Sequence, residues 1–214
     1  MDQLDRHHEA VKQAAIADRL VVTKPDLAAR AALERLEARL AELNPGAGLV
    51  RAARGAVDAN WLLETGLARG PSRLPDPVSW LNAGAYRPAG GSPAPLHDPR
   101  IRAFAWWGGT AASLAEVEDG LDTLLELAGD RILRLKGLVA VAGEPGPVAF
   151  HAVQHTRYPP ARLAAWPDAD TRTRFVVIAR DLEDAFVAQI FEAFLRAPAR
   201  DTGAGLPAAA TAPR

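Results

Sequence analysis

The fold is decided by Arg19-Leu20-Val21-Val22-Thr23-Lys24-Pro25-Asp26. A short apolar run, continuous rather than alternating, ends in T-K-P-D, and a long helical pattern follows it. Continuous apolar runs suit strands covered on both faces, as in parallel sheets. After Asp26, Leu33, Leu36, Leu40 and Leu43 recur at three- and four-residue spacing and predict a helix with one apolar stripe. Asn44-Pro45-Gly46 stops that helix, and residues 49–53 read as a second short strand. Asp58 is placed to cap a further helix carrying Trp61, Leu62 and Leu63. Upstream, residues 3–17 read as a helix. The first 67 residues are thus an α/β unit with a parallel sheet.

A strand that delivers a Lys and an Asp two residues apart at its carboxyl end can read guanine. The Lys stem lies against the base, and the carboxylate accepts from the ring N–H and the exocyclic amine, a pairing adenine cannot offer. Open α/β sheets bind ligands beyond the carboxyl ends of their strands. Thr23, Lys24 and Asp26 are therefore the candidate guanine-binding residues. The alternative is an ordinary strand-to-helix turn in which Asp26 caps the helix from Leu27.

Residues 68–96 change character, with six prolines interleaved with glycines, and read as a linker. Trp80 and Tyr86 within it are expected to dock on a neighbouring surface. A second unit follows over residues 97–195. Residues 101–107 read as a strand, and Ser113-Leu114-Ala115-Glu116 has capping-box form ahead of a helix ending at Gly129. Residues 131–141 and 147–157 read as a hairpin around Gly143-Glu144-Pro145-Gly146, and residues 174–179 as another strand. Asp181 is expected to cap a last helix with Phe186, Ile190 and Phe194 facing inward. The order β-α-β-β-β-α predicts a small α+β domain with a mostly antiparallel sheet and helices on one face. Residues 196–214 are Ala, Pro, Gly and Thr rich and are expected to be a disordered tail.

Lys and Arg number 25 against 26 Asp and Glu, which gives no sign of a nucleic-acid partner. With no cysteine in the chain, disulfides, thiolate metal sites and cysteine nucleophiles are excluded. The N-terminus lacks the apolar core of a signal peptide, and no run approaches the roughly 20 apolar residues of a membrane helix. A cytoplasmic protein with no membrane partner is expected. His7 and His8 are adjacent and diverge on a helix. His151 and His155, four strand residues apart, would sit about 13 Å apart, too far to share an ion. Arg134 and Lys136 alternate on one strand face, expected to be solvated or partner-facing. Arg172 and Arg174 are expected to pair with Asp168 and Asp170.

Three stretches together resemble the CobW family of P-loop GTPase metallochaperones. They are residues 13–27, running into Thr23-Lys24-Pro25-Asp26; Leu133-Arg134-Leu135-Lys136-Gly137-Leu138, similar to the family's R-x-K-G strand; and Trp166-Pro167 with residues 170–182. They occur in the family's order. The resemblance implies a partial P-loop GTPase domain over residues 1–67 and a CobW C-terminal domain over residues 97–195. It implies GTP and magnesium as ligands of the full-length family and zinc or cobalt as cargo, with cobalamin biosynthesis one setting. A client metalloprotein, or a separately made P-loop half, is the implied partner. The family's G-x-x-x-x-G-K-[ST] loop, its acidic strand end for magnesium and its C-x-C-C motif have no counterpart here. The chain is therefore expected to be a truncated form that does not hydrolyse GTP alone. The alternative is a non-enzymatic interaction protein.

Overall fold

The structure is a computed structural model that describes residues 4, 6–63, 77–90 and 100–195. Its centre is a pair of eight-residue strands that are buried almost throughout, β5 (Ile132–Val139) and β9 (Thr173–Arg180). Strands buried at successive positions need cover on both faces. They lie inside a seven-stranded sheet that also holds β3 (Arg87–Pro88), β4 (Ile101–Gly108), β6 (Val148–Val153), β7 (Thr156–Arg157) and β8 (Ala161–Arg162). The path is β3-β4-β9-β5-β6-β7, with β8 beside β6. Every pairing in it is antiparallel except β3 with β4.

One face carries the helices α5 (Leu114–Ala128) and α6 (Asp184–Phe194). Val117, Leu121, Leu124 and Leu125 of α5 and Val187 and Phe191 of α6 pack there with Phe104, Leu135, Phe150 and Phe175. Ser113 accepts from the Glu116 amide at 3.2 Å, so the expected N-cap forms. The last helix begins later than expected. Its N-cap is Glu183, and Asp181 sits at φ 50° in the turn before it. Val187 and Phe191 are the buried residues of its inward face, Ile190 and Phe194 pack partly buried beside them as expected, and Phe186 is half-exposed. Gly137 in β5 lies tight against that core. A Cβ there would lie 2.3 Å from the Phe175 ring, which stacks on Phe191 at 4.4 Å.

The second face is covered by the first unit. Helix α1 (His8–Ile16) and helix α2 (Arg30–Leu43) place Val11, Ala14, Ala15, Leu33, Leu40 and Leu43 against Ile101, Leu133, Leu138, Val176 and Ile178. Between and after these helices run β1 (Arg19–Thr23) and β2 (Gly48–Ala52), a parallel pair in register from Arg19↔Gly48 to Thr23↔Ala52. A short helix α3 (Ala59–Leu63) follows, with Asp58 accepting from the Asn60 amide at 2.9 Å.

Of the expected linker, residues 77–90 are described. They form α4 (Pro77–Leu81), a single 3-10 turn and β3, with Trp80, Leu81 and Tyr86 buried in the same core as α1 and α2. The expected tail after residue 195 lies outside the described residues. Among the described residues no helix is long and apolar enough to cross a membrane.

Candidate functional site

Strand β1 ends at Thr23, and its in-register neighbour β2 ends at Ala52, so the two carboxyl ends open on the same side. The chain then turns sharply. Lys24 donates its amide to the Ala52 carbonyl at 3.2 Å and takes a left-handed conformation, φ 53° and ψ 43°. That conformation is strained for a residue with a β-carbon. It throws the side chain off the strand line and starts the 3-10 turn Pro25–Leu27, closed by the Leu27 amide on the Lys24 carbonyl at 3.1 Å. Proline supplies the fixed φ that this turn needs.

Thr23, Lys24 and Asp26 are brought together at this edge, and all three are exposed. The expected helix from Leu27 does not form. Helix α2 starts at Arg30 with Ala29 at its N-cap, so Asp26 is not its cap. Leu27, at 79% exposure, is the most exposed large apolar residue described. A second turn sits beside the first. Arg54 and Gly55 both have positive φ just past β2, and the Ala56 amide closes on the Ala53 carbonyl at 3.0 Å. The sequence signal for this turn is Gly55, one residue after Arg54 and just past the strand.

The strand face expected to be solvated is buried. Arg134 and Lys136 are 3% and 6% exposed and point at the first unit. Arg134 donates to the Ile16 carbonyl and to the Asp18 carboxylate, and Lys136 donates to the same carboxylate and to the Trp80 carbonyl, each at 2.8 Å. Burial and the neighbouring Arg134 push the Lys136 ammonium down to about 8, against the pull of Asp18. Burial raises the Asp18 carboxyl, but Lys136 and Arg134 outweigh it and the net shift is downward. His151, paired across the strands with Lys136 and stacked on Tyr158, is pushed down to about 4 by burial and by Arg134 and Lys136.

His151 and His155 do not share a strand face. Strand β6 ends at Val153, and His155 lies in the following turn, 2.8 Å from Asp130. Among the described residues no group of three or more His, Cys, Asp or Glu could hold a metal ion. The pairs Arg172–Asp170 and Arg174–Asp168 form at 2.8 Å each, with Arg174 buried.

Residues 101–195 match the model of the cobalamin synthesis protein cobW C-terminal domain. The chain carries a CobW C-terminal domain. Its likeness to the CobW family extends beyond that domain. The zinc chaperone YjiA of Escherichia coli strain K12 is 25% identical over 192 residues, covering 89% of this chain and 56% of the relative. The Zn(II)-bound crystal structures of E. coli YjiA GTPase and of a triple mutant of it superpose with a TM-score of 0.60 at 22% identity. They are covered over 57% of their length by 91% of this chain. The chain thus shares their fold and spans a little over half the length of these relatives.

Proposed function

We propose that this chain supplies the guanine-reading edge and the C-terminal domain of a GTP-dependent metal chaperone of the CobW type. The observation that carries the reading is the geometry after β1. Lys24 and Asp26 stand exposed on a tight turn beyond the carboxyl end of a parallel strand, and Asp26 has no capping duty. The base is all these residues fit. No phosphate loop or magnesium ligand is found in the sequence, and base contacts alone are worth about 1.5–3 kcal/mol, millimolar at best. Tight nucleotide binding therefore requires a phosphate-binding half, in the same chain or in a partner. Zinc is the favoured cargo, since the similar proteins are a zinc chaperone and a Zn(II)-bound GTPase, with cobalt the second choice.

The second reading is a non-enzymatic interaction protein that docks to a P-loop partner or a client metalloprotein. It is favoured by the parallel pair β1–β2, because parallel sheets are rarely so small, and by exposed Leu27, Leu62 and Leu63.

The test is titration with GTP, ATP and xanthosine triphosphate once a phosphate-binding half is supplied, for wild type and Asp26→Asn. The amide mismatches guanine and suits xanthine, whose carbonyl stands where guanine has its amine. Preference is expected to move from GTP to xanthosine triphosphate by roughly 100-fold or more. An Asp26→Asn chain that still prefers GTP rejects the base-reading role. A chain that gains no nucleotide affinity from any phosphate-binding half favours the second reading.

A further inference from the structure

We infer that Asp18, gripped by Arg134 and Lys136, is a latch that holds residues 8–63 on the outer face of the seven-stranded sheet, and that these residues undock as one body when the grip is lost.

The segment is internally braced. The Asn44 side chain donates to the carbonyls of Ala14, Ala15 and Ala17 at 2.8–3.0 Å, tying the end of α1 to the end of α2. Strands β1 and β2 pair only with each other, so no described strand of the segment is stitched into the larger sheet. What α1 buries there is small, namely Val11, Ala14 and Ala15, and the larger apolar contact comes from Leu33, Leu40 and Leu43 of α2. Small apolar side chains remove little surface from water, so packing alone holds α1 weakly.

The polar grip is different in kind. Two cations from alternate positions of β5 converge on one carboxylate at the joint between α1 and β1. Arg134 also reaches the Ile16 carbonyl at the end of α1, where a cation suits the helix dipole. A buried set with two cations and one carboxylate is unforgiving. Taking away the carboxylate leaves both cations buried without a counter-charge, which costs far more than the grip itself contributes. The cheapest relief is for the segment to move off and let water in. The base-reading turn rides on the same segment, at the other end of five-residue β1, roughly 17 Å away. The latch would then set whether that turn travels with the C-terminal domain.

The test is hydrogen exchange read peptide by peptide on the full chain, without nucleotide, so it stands apart from the base-reading proposal. Asp18→Asn is expected to speed exchange in α1 and β1 at least ten-fold while β5 and β9 stay within two-fold of wild type. Asp18→Asn combined with Lys136→Met is expected to recover most of that loss, because one stranded cation has gone. Asp18→Glu keeps the charge and covers the case in which the Asn variant does not fold. It is expected to speed the same peptides by less. Equal acceleration in β5 and β9 would make the chain one cooperative unit and overturn the latch. So would equal exchange in the single and double variants, since the cations would then play no part.

Discussion

Replacing Lys136 with Met tests the electrostatics of the buried face directly. Lys136 is 6% exposed and its ammonium is pushed down to about 8, where an unfolded lysine titrates near 10.5. Burial is the main cause, Arg134 adds to it, and Asp18 opposes both. At about 1.4 kcal/mol per unit, keeping the charge inside costs the fold about 3 kcal/mol. The sign follows from proton counting. Below pH 8 both states hold the proton and the penalty is complete. Between 8 and 10.5 the unfolded chain holds more protons than the folded one, so stability rises with pH. By pH 9.5 the rise is about 2 kcal/mol. Tyr86, pushed up to about 12 mainly by burial, works the other way from pH 10 upward, so the reading belongs below pH 10. Urea unfolding at half-unit steps from pH 7 to 9.5 is the assay. Wild type is expected to gain stability across that window and Lys136→Met to stay flat. At pH 7 the variant is expected to lose little, since Arg134 still holds Asp18 and a well-packed apolar side chain can replace a buried ion at no net cost. Parallel curves for the two proteins would refute the reasoning.

Two further outcomes are expected. His151 titrates near 4 in the fold against 6.5 outside it, so it contributes instability as pH falls from 6.5 through 4. Its ring proton shift should stay unprotonated in character down to about pH 5, and an ordinary midpoint near 6.5 would contradict its burial beside Arg134 and Lys136. Gly137→Ala sets a methyl 2.3 Å from the Phe175 ring and is expected to cost about 1–3 kcal/mol in a thermal melt, with an unchanged melt showing that the ring can move aside.

The sequence was most legible where one local rule decided the structure. The N-cap at Ser113, the parallel pair around Leu20 and Val50 and the antiparallel order of the second unit all follow from spacing and turn chemistry. It was least legible where tertiary contact overrode the local signal. Asp181 had the residue type of a cap, but the turn before α6 puts it at positive φ and hands the cap to Glu183. Arg134 and Lys136 read as a wet strand face because charges are almost never buried without partners. Their partner, Asp18, lies 116 and 118 residues away. No window on the chain joins residues so far apart. The apolar run of β5 did carry a hint, since an apolar strand interrupted only by R-x-K-G is hard to reconcile with one face open to water. The same reasoning bears on residues 77–90. Prolines and glycines there signalled a linker, yet Trp80 and Tyr86 were too large and apolar to be left in solvent. Trp80 gives Lys136 its carbonyl, and Tyr86 lies against Gly46 and Asn44, so the two rings dock as expected and the segment around them is packed between the two units it joins.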